Sequence, residues 1–88
     1  MQVNKLKNNI YGVRWSGQTK VWRVRLPDKS TVKDVLLGVC NKMGFSEDQF
    51  ESLAIGGSLR PQDRYYLNQD APTDDTLVIY ISEYNGSA

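Results

Sequence analysis

The stretch from Ser30 to Gly44 constrains most what this chain can fold into. Val32, Val35, Leu36, Val39 and Met43 recur at the spacing that puts them on one side of an α-helix, while Lys33, Asp34, Asn41 and Lys42 fall mostly on the other. Ser30 or Thr31 can accept a hydrogen bond from the free amides of the first turn. Asp34 follows Thr31 at capping-box spacing, and Gly44 can adopt the left-handed conformation that ends a helix. A helix this short is marginal alone, so its apolar stripe requires a surface to cover. That surface has to come from the flanking segments, which carry strand patterns.

Residues 1–9 are mostly polar and read as a flexible lead-in. Tyr11, Val13 and Trp15 then alternate with Gly12 and Arg14, Ser16-Gly17-Gln18 signals a turn, and a second alternating run follows. In that run Trp22, Val24 and Leu26 share one face and Val21, Arg23 and Arg25 the other, so the two runs form a hairpin ended by Pro27-Asp28. Beyond the helix, Phe45 is expected to pack back on its end, and Ser46 to Phe50 reads as a polar turn or one short helical turn. Ser52-Leu53-Ala54-Ile55 reads as a brief strand stopped by Gly56-Gly57, and Ser58-Leu59 as a shorter one. Pro61 to Pro72 reads as a loop anchored by Tyr65, Tyr66 and Leu67. The last strand is the clearest: in Thr76 to Ile81, Leu77, Ile79 and Ile81 face one way and Val78 and Tyr80 the other. Strand, strand, helix, short strands and long strand suit an α+β roll with one helix on one face of a mixed sheet.

At 88 residues the chain is one small domain. Such a domain buries only about 60% of its unfolded surface, which leaves room for a helix on a sheet but not for a deep cleft. Net charge is +1, with Lys and Arg scattered, so no general basic field for nucleic acid exists. There is no histidine, which removes Ser-His and Cys-His nucleophile pairs, His-containing zinc sites and the usual general base near neutral pH. Cys40 is the only cysteine, so an internal disulfide is impossible, a reducing compartment is expected, and the thiol reads as a small buried hydrophobe. No apolar run approaches the ~20 residues of a membrane span, and the N-terminus is too polar for a secretory signal. Asp74-Asp75 and Glu47-Asp48 are paired acids without a third ligand or a base, and Gly56-Gly57 lacks the lysine of a phosphate loop. No catalysis, no cofactor and no metal are therefore expected.

With this order of elements the sequence resembles the ubiquitin-like (β-grasp) family from about Ile10 to Gly86. The resemblance rests on the Gly17 hairpin turn, the Thr31-Val32 helix start, the Leu53-Ala54-Ile55-Gly56-Gly57 strand and turn, and the Thr76 to Ile81 strand. It implies a mixed sheet of four to five strands with one main helix on one face, a domain over 10–82 and a flexible tail over 83–88. Members bind other proteins, mostly through the exposed sheet face. The positions matching ubiquitin's apolar patch are Ala54, Val78 and Tyr80, with Ser52 where that patch has a basic neighbour. Arg23 and Arg25, expected on the neighbouring strand, would orient the partner.

The expected function is thus a non-catalytic, monomeric protein-interaction domain within a larger intracellular, cytoplasmic protein, the nucleus left open. Ubiquitin-pathway components or a small GTPase are the partners that the resemblance points to. Two alternatives accompany this reading. Gly86, followed by Ser87-Ala88, could become the terminus of a conjugated modifier after processing. The run from Val39 to Ile55 also looks like the first lobe of FERM domains, and Lys20, Arg23 and Arg25 are similar to the basic second strand of Ras-association domains, which pairs edge to edge with a small GTPase.

Overall fold

The computed structural model describes residues 2–7, 9–15, 17–52, 59–72 and 77–80. Within them the chain runs β1 (Gln2–Lys7), β2 (Ile10–Arg14), β3 (Trp22–Arg25), α1 (Val32–Lys42), α2 (Glu47–Phe50), α3 (Pro61–Tyr66) and β4 (Leu77–Val78). The described strands form one sheet in the order β3-β2-β1-β4, with every pairing antiparallel. With α1 packed on one face, the architecture is α+β.

The predicted helix forms with both of its expected ends. Thr31 Oγ1 accepts from Asp34 N, and Asp34 Oδ2 accepts from Thr31 N, both at 3.2 Å. The other two first-turn amides find partners far along the chain: Val32 N donates to Gln69 O at 3.0 Å and Lys33 N to Leu67 O at 2.9 Å. All four donors that a helix start leaves orphaned are therefore satisfied, and the last two of these bonds tie the segment after α3 to α1. At the other end Gly44 has φ +94°, with Phe45 N bonded to Cys40 O and Gly44 N to Asn41 O, the paired bonds of a Schellman cap. Phe45 packs against the core, as expected.

Val32, Val35, Leu36, Val39 and Cys40 are the buried stripe of α1. They meet Val3, Tyr11, Val13 and Trp15 from the sheet, and Phe50, Leu59, Leu67, Ala71 and Ile79 close the core. Helix and sheet approach so closely at Gly38 that a Cβ there would stand 2.8 Å from Val24 Cγ2. Gly38 costs some helix propensity, and its hydrogen side chain is what lets α1 lie down on β3. Trp22, half-buried beside this contact, carries Lys20 Nζ 3.8 Å above its ring, and its Nε1 is buried without an acceptor.

Three expectations change. Gln2–Lys7, read as part of a flexible lead-in, is a strand between β2 and β4. Its alternation is hidden because the core-facing register positions hold Val3 and Lys5, opposite Val13 and Tyr11. Lys5 reaches past the core edge to Asp28 Oδ1 at 2.7 Å, so a lysine serves where the pattern calls for an apolar residue. The sheet is not mixed among the described strands. β1 occupies the place beside β2, so β4 pairs antiparallel with β1 and runs in the same direction as β2 one strand away.

The loop read over Pro61 to Pro72 contains a helix, α3, with Pro61 in the first position, where its missing N–H is harmless. Leu67 is an anchor as expected, but Tyr65 and Tyr66 are exposed, and Ala71 and Asp63 go into the interior instead. Ser46 to Phe50 forms α2, with a reciprocal Ser46–Gln49 cap and Phe50 buried. Of the short strands read at 52–55 and 58–59, residues 53–58 lie outside the described ones. Leu59 is buried.

Gly38→Val, which pushes two methyl groups at Val24, is expected to lose about 1–3 kcal/mol. Ile79→Ala, which opens a hole at a fully buried position, is expected to lose about 2–5 kcal/mol. Urea unfolding measures both, and a Gly38→Val protein as stable as its parent would contradict the close helix–strand contact.

Candidate functional site

Directly opposed residues in an antiparallel sheet share a face, so the registers sort the sheet into two sides. Leu77, Val3, Val13 and Trp22 form one continuous row toward α1. The outer side carries Val78, Gln2 and Arg14 in one row, Asn4, Gly12 and Arg23 in the next, and Ile10 with Arg25 in a third. Val78 and Tyr80 are 61% and 54% exposed, high for side chains of this size.

Four of the expected contact residues, Val78, Tyr80, Arg23 and Arg25, thus share the outer face. Ala54 and Gly86 lie outside the described residues. The arginines are not on a strand next to Val78 and Tyr80, however. β1 and β2 separate β3 from β4, a gap of about 14 Å at ordinary strand spacing. The inserted N-terminal strand adds one of these two intervening strands, and the expected contact centre is split into two ends.

At the β4 end, the Arg60 guanidinium lies 5.1 Å from the centre of the Tyr80 ring. Arg60 is itself held by Asp63, Nε to Oδ2 at 2.5 Å and Nη2 to Oδ1 at 3.1 Å. That hydrogen bond raises the already high pKa of the guanidinium. Asp63 is buried, so its charge is met by a fork reaching in from the surface. Nearby, Arg14 Nε and Nη2 donate to Gln2 Oε1 at 3.0 and 2.6 Å beside a shallow groove of about 360 Å³ that Val78, Gly17 and Gln18 help to line.

At the β3 end the sheet is covered by aliphatic side chains that the sequence reading did not single out. A Cβ on Gly12 would stand 3.0 Å from both Leu6 Cδ1 and Val21 Cγ1. Leu6 reaches this place because it stands two residues beyond Asn4, which is opposite Gly12, and so shares the outer face. A glycine inside an alternating strand is the one available sequence signal, since it marks close approach of other groups. Arg23 and Arg25 flank this cluster, and among the described residues neither forms an ion pair. The described outer-face positions include three arginines and no carboxylate. The exposed acids Asp34, Glu47 and Asp48 belong to the helices.

The chemistry of the helical side is inert by comparison. Glu47 and Asp48 sit in the first turn of α2, Asp74-Asp75 lies outside the described residues, and no metal-holding cluster of His, Cys, Asp or Glu occurs among the described residues. Burial pushes the Cys40 thiol up to about 11. Among the described residues no helix is long and apolar enough to cross a membrane.

Two measurements check this description. The unfolded thiol ionises at its ordinary 9.0 while the folded one keeps its proton to about 11, so Cys40 contributes stability that is lost as pH rises through this window. The stability of the parent relative to Cys40→Ala should therefore fall between those pH values; a constant difference contradicts the burial. Arg60→Ala should lower the melting temperature more than Arg64→Ala, because only the first leaves a buried carboxylate unmatched.

No family model, no curated protein and no solved structure matches the chain.

Proposed function

We propose that this chain is a non-catalytic, ubiquitin-like domain of β-grasp type, part of a larger intracellular protein, that binds other proteins through its outer sheet face. One observation carries this reading: a face with exposed Val78, Tyr80 and Leu6, three arginines and no carboxylate among its described positions. Large apolar groups next to arginine are the composition of protein contact centres, and Tyr and Arg are common anchors there. The grasp reading is supported by the β2–β3 hairpin, the helix laid across it, and β4 running in the direction of β2. Tyr80, steadied by Arg60, is the anchor at one end of this face.

A photo-crosslinking residue at position 78, introduced into the natural protein in its own cells, should give discrete protein adducts, and one at Asp48 on α2 should not. Tyr80→Ala should reduce those adducts at least about tenfold while the melting temperature stays nearly unchanged. Equal crosslinking from both positions, or no loss with Tyr80→Ala, would overturn the reading.

A second reading, edge-to-edge pairing with a small GTPase, is favoured by one feature. β3 is an edge strand among the described strands, and the bond from Leu26 N to Asn9 O sets a ladder in which the backbone of Arg23 and Arg25 points away from β2. Lys42 Nζ covers the Arg23 carbonyl, which protects that edge in the isolated domain. In this mode Arg23 and Arg25 matter and Tyr80 does not.

A further inference from the structure

We propose that the β3 end of the outer face is a separate contact centre, in which Leu6 and Val21, closed over Gly12, receive an aliphatic side chain of an acidic protein segment whose carboxylates meet Arg23 and Arg25. This inference rests on the reading of the outer face as an interaction face and names what that face takes. Leu6 is 39% exposed on the solvent side of the sheet, where a polar residue would be ordinary. Gly12 is buried, and a side chain at that position would push against Leu6 and Val21. The result is a small aliphatic floor with two guanidinium groups beside it.

Charge decides the kind of partner. The molecule carries only +1 overall, yet the described outer-face positions hold Arg14, Arg23 and Arg25 without an acid. Arg14 donates to Gln2, and among the described residues Arg23 and Arg25 form no ion pair. Both are arginines, whose planar fork matches a carboxylate in two hydrogen bonds. A nucleic acid would call for aromatic surfaces beside the cations on which bases stack. Here the neighbours are Leu6, Val21 and Ile10, and the exposed Tyr80 belongs to the opposite end of the outer face, beyond β1. Aliphatic floor and guanidinium rim together fit an acidic protein segment.

The test is an amide NMR titration of the chain with a short peptide of glutamate and aspartate around one central leucine. Shifts are expected at Leu6, Gly12, Val21, Arg23 and Arg25, and they should weaken as salt is raised. Binding should become about tenfold weaker for an Arg23→Glu/Arg25→Glu protein that keeps its amide dispersion, and about tenfold weaker again for a peptide with serine in place of leucine. Arg23→Lys/Arg25→Lys should restore part of the affinity of the Glu variant. Shifts confined to Val78 and Tyr80 overturn this inference and leave the interaction-face reading standing. Shifts along the β3 edge and at Leu37 and Gly38 overturn it in favour of strand pairing. Tighter binding of a thymidine oligonucleotide overturns the partner class. No shift at millimolar peptide also overturns it, whereas the broader reading is decided separately, by the crosslinking from position 78 and its loss with Tyr80→Ala.

Discussion

Everything in this domain depends on one close contact, the seating of α1 on the β2–β3 hairpin. A short amphipathic helix has little stability of its own, and the buried side of this one becomes useful only where it meets Tyr11, Val13 and Trp15. Gly38 sets the distance. With no side chain at that position, Val24 fills the space and the helix lies down on the strand. The ends of the helix then hold the rest of the chain. The amides of Val32 and Lys33 fix Gln69 and Leu67, and Ala71 N returns to Ser30 O at 2.8 Å.

Covering one side of the sheet with this helix leaves the other side to solvent. The two sides differ in kind because side chains alternate along a strand, and registers pinned by Val3, Val13 and Trp22 leave no choice about which residues face outward. Arginines and large apolar groups are therefore displayed together by the same registers that build the core. The outer face has two ends of different chemistry. At one, Tyr80 lies against an arginine that a buried aspartate holds. At the other, Leu6 and Val21 roof a glycine beside two arginines that form no ion pair among the described residues.

Much of the fold was legible in order along the chain. Each of α1's expected features depends on residues within a few positions of one another: the stripe, the Thr31–Asp34 box and the Gly44 cap. The outward turn of Arg23, Arg25 and Val78 follows from period-two alternation in the same way. β1 was not legible, because Lys5 occupies a core-facing register position and its acceptability depends on Asp28, far along the chain. Helix α3 was missed because Pro61 and the polar residues after it carry no apolar stripe, and its buried member is an aspartate matched by Arg60.

The sequence by itself determined the class of elements, the position and caps of the main helix, and the side of each clear strand that faces outward, since these are local consequences of backbone geometry and side-chain spacing. Only the tertiary structure decided which strands are neighbours. Strand order is set by long-range pairing that no short window contains, and placing β1 between β2 and β4 moved Arg23 and Arg25 away from Val78 and Tyr80. The same placement brought Leu6, Gly12 and Val21 together, three residues that stand in separate segments of the chain and meet only because the sheet assembles them.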